Sequence, residues 1–160
     1  RMRVGFGYDI HQLKAGRPCI LGGVQIESDL GPDGHSDADV LIHALMDAML
    51  GAAGLRDIGY YFPPEDDQYK GISSMILLKH VNSLLKERGL EAYNIDIMVI
   101  SETPKLKPHI DTMKANLQSV LEIPLDRISI KATTNEMLGA IGRREGIAAQ
   151  AVVSVYEGEV

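Results

Sequence analysis

The N-terminal segment, residues 2–11, alternates between two kinds of position. One face carries only apolar or aromatic side chains: Met2, Val4, Phe6, Tyr8 and Ile10. The other carries two glycines and then two candidate metal ligands: Gly5, Gly7, Asp9 and His11. Because successive side chains of a strand point to opposite faces, this pattern predicts a β-strand, with Asp9 and His11 pointing the same way at its end. A bare glycine face in a strand often marks the close approach of a ligand or of another backbone.

A helical pattern begins shortly after residue 36. Its apolar positions recur three and four residues apart: Leu41, Ile42, Leu45, Met46, Met49 and Leu50. Ser36 is expected to be the N-cap, with Asp39 at the third helical position as an aspartate version of the capping box. Gly51 and Gly54 are expected to end the helix. Three polar residues spaced four apart share the opposite face of this helix: Asp39, His43 and Asp47.

The remaining segments alternate between strand-like and helix-like patterns. Runs rich in β-branched or alternating residues predict strands at residues 20–27, 95–101, 127–132 and 147–156. Amphipathic runs predict helices at residues 74–88 and from Pro108 to about Pro124. Residues 57–71 are rich in proline and acidic residues, so they are expected to form a long loop that acts as a lid or flap.

The order of these elements predicts the fold class. Strands first, then two helices, a strand, a helix and two strands are typical of a two-layer α+β domain, here spanning residues 2–158. Helices are expected on one face of a mixed, four-stranded-type sheet. The other sheet face then needs cover, and an oligomer partner is its simplest source.

Composition and charge narrow the functional classes. Of the 160 residues, 45% are hydrophobic and 24% are charged, which is ordinary for a globular chain. A net charge of -6 disfavours a broad nucleic-acid surface, and no apolar run is long enough to span a membrane. The single cysteine, Cys19, lies in an apolar run and is expected in the core. With no secretion-signal pattern at the start, we expect a bacterial cytoplasmic location, or a plastid-type organelle if the chain derives from a longer precursor.

Asp9, His11 and His43 form a candidate metal-ligand set. One carboxylate and two imidazoles would leave a fourth tetrahedral position open, as in catalytic zinc sites. From spacing alone, it is equally plausible that these are solvated polar residues. Asp39 and Asp47, one turn either side of His43, are expected either to orient its imidazole or to be solvated.

A second constellation has the character of a phosphate site. Residues 131–136 place two threonine hydroxyls, a run of backbone N–H groups and Glu136 at the end of a strand, and residues 139–146 add a loop rich in glycine and arginine. Such groups can hold phosphate oxygens while the carboxylate takes a magnesium ion. Neither the Walker nor the Rossmann spacing is present, and ordinary turn chemistry is the commoner explanation for each segment alone.

Five separated segments match one known family in order. They are Arg3-Val-Gly-Phe-Gly-Tyr-Asp-Ile-His11, Gly34-His-Ser-Asp-Ala-Asp39, Asp57-Ile-Gly59, Lys131-Ala-Thr-Thr134 and Gly142-Arg-Arg-Glu-Gly146. Together they closely resemble the 2-C-methyl-D-erythritol 2,4-cyclodiphosphate synthases, metal-dependent cyclases of the non-mevalonate isoprenoid pathway. The resemblance implies a homotrimer with active sites between neighbouring subunits. It also implies that a cytidine-diphosphate-linked methylerythritol 2-phosphate is converted into the cyclic diphosphate and CMP.

The resemblance further implies roles for individual residues near the metals. Asp9, His11 and His43 match zinc ligands, and Glu136 matches the residue that binds magnesium or manganese at the substrate diphosphate. His35 and Thr134 match residues assigned to transition-state stabilisation.

The substrate contacts implied by the resemblance fall into three groups. The methylerythritol phosphate would be contacted by His35, Ser36, Asp57, Gly59 and the flap from Phe62 to Asp66. The cytosine pocket matches Ser101, Thr103, Pro104, Lys105, Leu106 and Lys107. The diphosphate contacts match Thr133, Thr134 and Arg143.

The chain departs from the family pattern at two positions, and two other functions remain open. Pro64 stands in the flap where relatives often carry an acid, and Ala140 stands near the trimer axis where some carry an aromatic residue. One alternative is a non-catalytic trimer that holds structural zinc or an axial apolar ligand. The other is a zinc phosphohydrolase, which would release CMP without a cyclic product. Structural zinc usually has four protein ligands and this set offers three, which favours the enzyme.

Overall fold

A mixed five-stranded sheet carries the fold in the computed structural model, which describes residues 1–158. Its spatial order is β4 (Leu30–Pro32), β1 (Met2–Ala15), β7 (Gly146–Glu157), β5 (Leu90–Ile100) and β6 (Ile128–Thr133). Only β5 and β6 run parallel; the other neighbours are antiparallel. A separate hairpin pairs β2 (Cys19–Leu21) with β3 (Val24–Ile26). The mixed α+β class is therefore confirmed.

The strand count differs from the sequence expectation in two places. The segment 20–27, expected as one strand, is a hairpin that turns at Gly22 and Gly23, both of which have positive φ. The fifth sheet strand, β4, lies in a segment where the sequence pattern predicted no strand; it forms because β1 continues to Ala15 and gives it an edge to pair with. Asp9 and His11 consequently lie within β1 and not at its end.

Five α-helices lie within the described residues 1–158. They are α1 (Val40–Ala52), α2 (Ile58–Tyr61), α3 (Ser74–Glu87), α4 (Ile110–Leu121) and α5 (Gly139–Gly142). Helix α1 lies against β1, β7 and β5 on one side and against α3 on another. All of its residues except Asp47 and Gly51 are buried, because the sheet and the neighbouring elements enclose it. The core is thus centred on α1.

The first helix begins later than predicted. The N-cap is Asp39, whose carboxylate accepts a hydrogen bond from the Ile42 N–H at 3.2 Å. The expectation that Ser36 caps the helix is wrong because Ala38 has a φ of 59°, a left-handed conformation that interrupts any helical path from Ser36. The helix also runs through Gly51, with Gly54 in a left-handed turn after its end.

Two other segments differ in detail from the predicted secondary structure. The long loop at residues 57–71 contains the one-turn helix α2 and a 3-10 turn at Asp67–Tyr69. The third long helix begins with a 3-10 turn at Lys107–His109 that includes Pro108, and it ends at Leu121. Within residues 1–158, every helix is too short or too polar to cross a lipid bilayer.

The bare glycine face of β1 lies directly under α1. A Cβ placed on Gly5 would lie 1.8 Å from the Ala48 carbonyl oxygen, and one on Gly7 would lie 1.9 Å from the Ala44 carbonyl oxygen. The closely approaching group is therefore the helix backbone, one of the two alternatives that the pattern left open. Glycine lets helix and strand pack closer than any side chain would permit.

The opposite face of β1 is open among the described residues. Val4 is 70% exposed and Phe6 is 59% exposed, and the row continues with Tyr8 and Ile10. On the adjacent strand β7, Val152 is exposed as well and pairs with Phe6. An apolar row of this kind is typical of an interaction surface.

The close contact between α1 and β1 predicts that adding a methyl group at Gly7 destabilises the protein. Gly7→Ala should lower the free energy of unfolding by about 3 kcal/mol, the upper end of the cost of overpacking, since the methyl group meets rigid helix backbone. Gly51→Ala is the matched control: its nearest neighbouring atom is 4.0 Å away, and alanine favours a helix by about 1 kcal/mol. Urea unfolding of both variants measures the difference. Equal stability of Gly7→Ala and wild type would contradict this account.

Candidate functional site

The tertiary structure brings Asp9, His11 and His43 together where β1 meets α1. His11 Nδ1 lies 2.9 Å from Asp9 Oδ2, and His43 Nδ1 lies 3.2 Å from the same oxygen. One ligand atom from each residue lies within 4.8 Å of the other two. The predicted set is thus a spatial triad, made by two residues of one strand and one residue of the first turn of a helix.

The triad has the geometry of a metal centre, and it contains buried polar atoms without hydrogen-bond partners. Tetrahedral zinc with bonds of about 2.0–2.1 Å places two ligand atoms roughly 3.3 Å apart, close to both contacts of Asp9. In the described part of the chain, the buried Asp9 Oδ2 and His11 Nδ1 have no hydrogen-bond partner. Converging buried polar atoms without partners are costly unless a cation lies between them. One carboxylate and two imidazoles suit zinc and related divalent ions.

The electrostatics of the triad favour a positive charge at its centre. Burial alone would raise the pKa of Asp9, but the adjacent His11 and His43 imidazoles hold that pKa below its ordinary value. Burial alone would lower the pKa of His43, but the Asp9 carboxylate raises it above its ordinary value. The Asp9 carboxylate therefore favours a positive charge beside it, which a cation held by the triad would also supply.

The two aspartates expected to orient His43 have other partners. The Asp39 carboxylate accepts backbone hydrogen bonds from Gly22 at 3.0 Å and Gly23 at 2.8 Å, which joins the β2–β3 turn to the start of α1. Burial raises the pKa of Asp39 to about 6, although these donors favour the ionised form. Asp47 accepts from the Ile58 N–H at 2.8 Å and so anchors α2. The expectation that they orient the imidazole is wrong, because each carboxylate satisfies backbone donors of a neighbouring segment.

The metal triad opens into a cavity of about 230 Å³. The lining residues are His11, His35, Ser36, His43, Ile58, Gly59, Phe62, Pro64, Tyr69 and Leu77. Four of the expected substrate contacts, His35, Ser36, Gly59 and Phe62, thus share one cavity with the two triad histidines. We call this the metal cavity.

Two residues expected to contact the substrate, Asp57 and Asp66, have carboxylates that bind backbone groups outside the metal cavity. The Asp57 carboxylate caps α2 by accepting from the Tyr60 N–H at 3.1 Å. The Asp66 carboxylate accepts from Gln68, whereas the Asp66 carbonyl oxygen lies 3.0 Å from His35 Nε2. Neither Asp57 nor Asp66 is among the cavity-lining residues.

A second cavity of about 240 Å³ collects most of the expected nucleotide contacts. Its lining residues are Val99, Ser101, Glu102, Pro104, Lys105, Leu106, Lys107, Ala132, Thr133 and Thr134. They come from the ends of the parallel strands β5 and β6 and from the loop between β5 and α4. We call this the strand-end cavity; it shares no lining residue with the metal cavity.

Glu102 organises the turn beside the strand-end cavity, a role that no sequence motif predicted. Its carboxylate accepts from the Asn135 N–H at 2.6 Å and from the Met137 N–H at 3.3 Å. Glu136, between these two donors, has a φ of 53° and is exposed. Glu102 therefore holds the backbone on both sides of the expected second metal ligand. Its carboxylate at the start of a turn was the only sequence signal.

Two further expected contacts lie outside the strand-end cavity. The Thr103 hydroxyl accepts from Arg144 Nε at 3.2 Å, and Arg144 also pairs with Asp29 at 2.9 Å. Arg143 is exposed and pairs with Glu145 on its own loop. Neither Thr103 nor Arg143 is among the residues that line this cavity.

The close contact between Gly34 and His11 generates a prediction. A Cβ on Gly34 would lie 2.9 Å from His11 Cδ2 and 3.0 Å from His11 Nε2, so Gly34→Ala should displace the ring. We expect a roughly tenfold or greater loss of zinc affinity, comparable to losing a group that orients a ligand, with little change in melting temperature. Competition with a chromophoric chelator measures the affinity, and Gly51→Ala is the control. Wild-type affinity in Gly34→Ala would show that His11 does not depend on this contact.

Known proteins resemble this chain over nearly its whole length. The profile of the YgbB family matches residues 2–156. The 2-C-methyl-D-erythritol 2,4-cyclodiphosphate synthase of Synechococcus elongatus is 60% identical over 152 residues, which covers 95% of both chains. The synthase of Cytophaga hutchinsonii is 56% identical over 152 residues, covering 95% of this chain and 96% of its own.

Solved structures agree with the sequence relatives. The bifunctional IspDF from Campylobacter jejuni has a TM-score of 0.93 and 45% identity over 97% of this chain, which spans 42% of the IspDF chain. The CDP complex of IspF from Plasmodium falciparum has a TM-score of 0.87 and 34% identity, covering 99% of this chain and 97% of its own. With the triad and cavities in place, these matches establish that the chain belongs to the YgbB family, in which its relatives are named 2-C-methyl-D-erythritol 2,4-cyclodiphosphate synthases.

Proposed function

We propose that the chain converts 4-diphosphocytidyl-2-C-methyl-D-erythritol 2-phosphate into 2-C-methyl-D-erythritol 2,4-cyclodiphosphate and CMP. The observation that carries the proposal is the triad of Asp9, His11 and His43, which opens into a cavity lined by His35 and Ser36. The names of relatives at up to 60% identity support the same product. Residues 2–158 are proposed to form one such domain, and the bacterial sources of the relatives support a cytoplasmic location.

The active site is proposed to lie between subunits of a homotrimer. One subunit supplies the metal cavity, and the strand-end cavity of a neighbour supplies the cytidine pocket, since the two share no lining residue within a subunit. CDP in the structure of a relative supports a nucleotide ligand. The exposed apolar row with Val4 and Phe6 offers the surface for packing against another copy.

The reaction asks the protein mainly for positioning. The 2-phosphate of the substrate is the nucleophile, so the chain needs no activated serine or cysteine. The one cysteine, Cys19, is not an activated nucleophile, because it is buried and its burial raises its pKa to about 11. The chain must fold the substrate so that a 2-phosphate oxygen lies in line with the β-phosphorus.

The polar residues of the two cavities divide this task. His35 and Ser36 are proposed to hold the methylerythritol phosphate, with Asp57 and Asp66 approaching when substrate is present. Thr133, Thr134 and Arg143 are proposed to donate to diphosphate oxygens, with His35 and Thr134 closest to the charge that develops during transfer. The loop 101–107 would hold cytosine largely through backbone groups.

Two divalent cations are proposed to balance the negative charge of the substrate phosphates. Zinc held by the triad and magnesium or manganese held by Glu136 would supply Lewis-acid polarisation and charge neutralisation along the diphosphate. Residues 62–66 are proposed to close over the metal cavity and exclude water. Water exclusion is what separates the cyclase from a zinc phosphohydrolase, which would release CMP and a linear product.

Removal of a triad ligand tests the metal assignment. His43→Ala should abolish zinc binding and lower the rate of CMP release by about a hundredfold or more, since one of three protein ligands is lost. The matched control is His109→Ala, because His109 makes no side-chain capping hydrogen bond at the start of α4. Metal analysis and phosphorus NMR of the product measure both effects. A zinc-free His43→Ala variant with full cyclase activity would refute the assignment.

Mixing two inactive variants tests the shared active site. His43→Ala lacks a zinc ligand and Glu136→Gln lacks the second cation ligand, so each should be nearly inactive alone. If one subunit contributes the triad and its neighbour contributes Glu136, about a quarter of the sites in randomly mixed trimers are intact. The cyclase assay after joint unfolding and refolding should therefore recover activity. No recovery despite confirmed mixing would place both ligands in one subunit.

A further inference from the structure

The side of His43 that faces away from the triad contacts two serine hydroxyls. His43 Nε2 lies 3.0 Å from Ser74 Oγ and 3.1 Å from Ser36 Oγ. Ser74 is fully buried, and His43 is 8% exposed. In the triad, Nδ1 of His43 is the nitrogen that faces Asp9, so the buried contacts of Nε2 call for a separate explanation.

Asp37 sets the direction of the hydrogen bond between Ser74 and His43. Ser74 Oγ lies 2.5 Å from Asp37 Oδ1, and a carboxylate can only accept a hydrogen bond. The same carboxylate accepts from the Ser74 N–H at 3.0 Å and from the Asp39 N–H at 3.2 Å. The single hydroxyl proton of Ser74 is thereby committed to Asp37, so Ser74 Oγ can only accept from His43.

The direction of this bond determines which imidazole nitrogen carries the proton. Nε2 must be an N–H donor, so in the neutral imidazole the lone pair is on Nδ1, which lies 3.2 Å from Asp9 Oδ2. A metal bound by the triad would take that lone pair. Ligating histidines are commonly held in one tautomer by a partner on the other nitrogen, and here the partner is a hydroxyl backed by a carboxylate.

We propose that Asp37 and Ser74 are positioning residues that hold His43 with Nε2 protonated and Nδ1 presented to the metal. The proposal rests on the metal centre of the proposed function and adds two residues from outside it. Asp37 reaches Ser74 across 37 positions of sequence. Helix α3, through its first residue, therefore helps to orient a metal ligand on α1.

The same chain of hydrogen bonds assigns a direction to Ser36. Because Nε2 of His43 carries a proton, Ser36 cannot donate to it. The Ser36 oxygen accepts from the Ala38 N–H at 3.2 Å, so its own proton is free to point into the metal cavity that Ser36 lines. Ser36 is thereby prepared to donate to a phosphate oxygen.

Neighbouring serines at the start of α3 provide a matched pair of variants. Ser74→Ala removes the partner of His43, whereas Ser73→Ala removes only the exposed cap that accepts from the Met75 N–H at 3.2 Å. We expect Ser74→Ala to weaken zinc binding 10–100-fold, as for other groups that orient metal ligands. Ser73→Ala should keep wild-type zinc affinity while lowering the melting temperature of the metal-free protein.

Nitrogen NMR of the wild-type protein tests the tautomer without relying on a variant. With ¹⁵N-labelled histidine, the His43 signals, assigned by their loss in His43→Ala, should show a protonated Nε2 and a zinc-bound Nδ1. A zinc-bound Nε2 would overturn the proposal, as would wild-type zinc affinity in Ser74→Ala, and either result leaves the proposed metal centre standing. Absence of zinc affinity in the wild type would instead overturn the metal centre and the positioning role together.

Discussion

The close contact between the backbone of α1 and the glycine face of β1 is the constraint on which the site depends. Gly5 and Gly7 leave space for the Ala48 and Ala44 carbonyls, so helix and strand approach without side chains between them. His43 precedes Ala44 on that helix, and Asp9 follows Gly7 by two residues on the same strand face. The spacing of the ligands is therefore set by backbone packing deep in the core. A triad built in this way rests on closely packed backbone, which suits a centre that must hold one geometry.

Around this contact, four partly or fully buried aspartates each have their own partners. Asp9 faces the metal position, Asp39 holds the hairpin turn, and Asp47 anchors α2. Asp37 accepts the hydroxyl proton of Ser74, which in turn contacts Nε2 of His43. Buried carboxylates are costly unless their oxygens are satisfied, and here three of the four use backbone or hydroxyl donors of another segment. Of these four carboxylates, only that of Asp9 keeps a buried oxygen without a hydrogen-bond partner, and this oxygen faces the two histidines.

The chain presents its candidate binding groups in two separate cavities. The metal cavity lies between α1 and the segment 57–71, whereas the strand-end cavity lies where β5 and β6 end. Glu102 holds the turn that carries Glu136, beside the strand-end cavity. In the proposed reaction, a substrate with a phosphate at one end and a nucleotide at the other would contact both kinds of cavity. The exposed apolar row of β1 is consistent with the same arrangement, because it leaves one face of the sheet for contact with a second copy.

The sequence by itself determined the local features, because they follow from periodicity and residue type. The alternation at residues 2–11 predicted β1 and its glycine face, and the separated motifs identified the family before any contact was known. The ligand triad could be named because Asp9 and His11 share a strand face and His43 is an imidazole on the next helix. The start of the first helix was not predicted correctly from the sequence. Ser36 has the residue type of an N-cap, but Ala38 adopts a left-handed conformation and the N-cap is Asp39.

Only the tertiary structure decided which distant groups meet. The contacts of Ser74 with His43 and of Glu102 with the Asn135 N–H join residues more than 30 positions apart, and no local pattern encodes them. Packing also reassigned Asp39 and Asp47, because a carboxylate binds whichever backbone donors the fold places beside it. Local pattern depends on neighbours along the chain, whereas hydrogen-bond partners depend on neighbours in space, and these are set only when the core has formed.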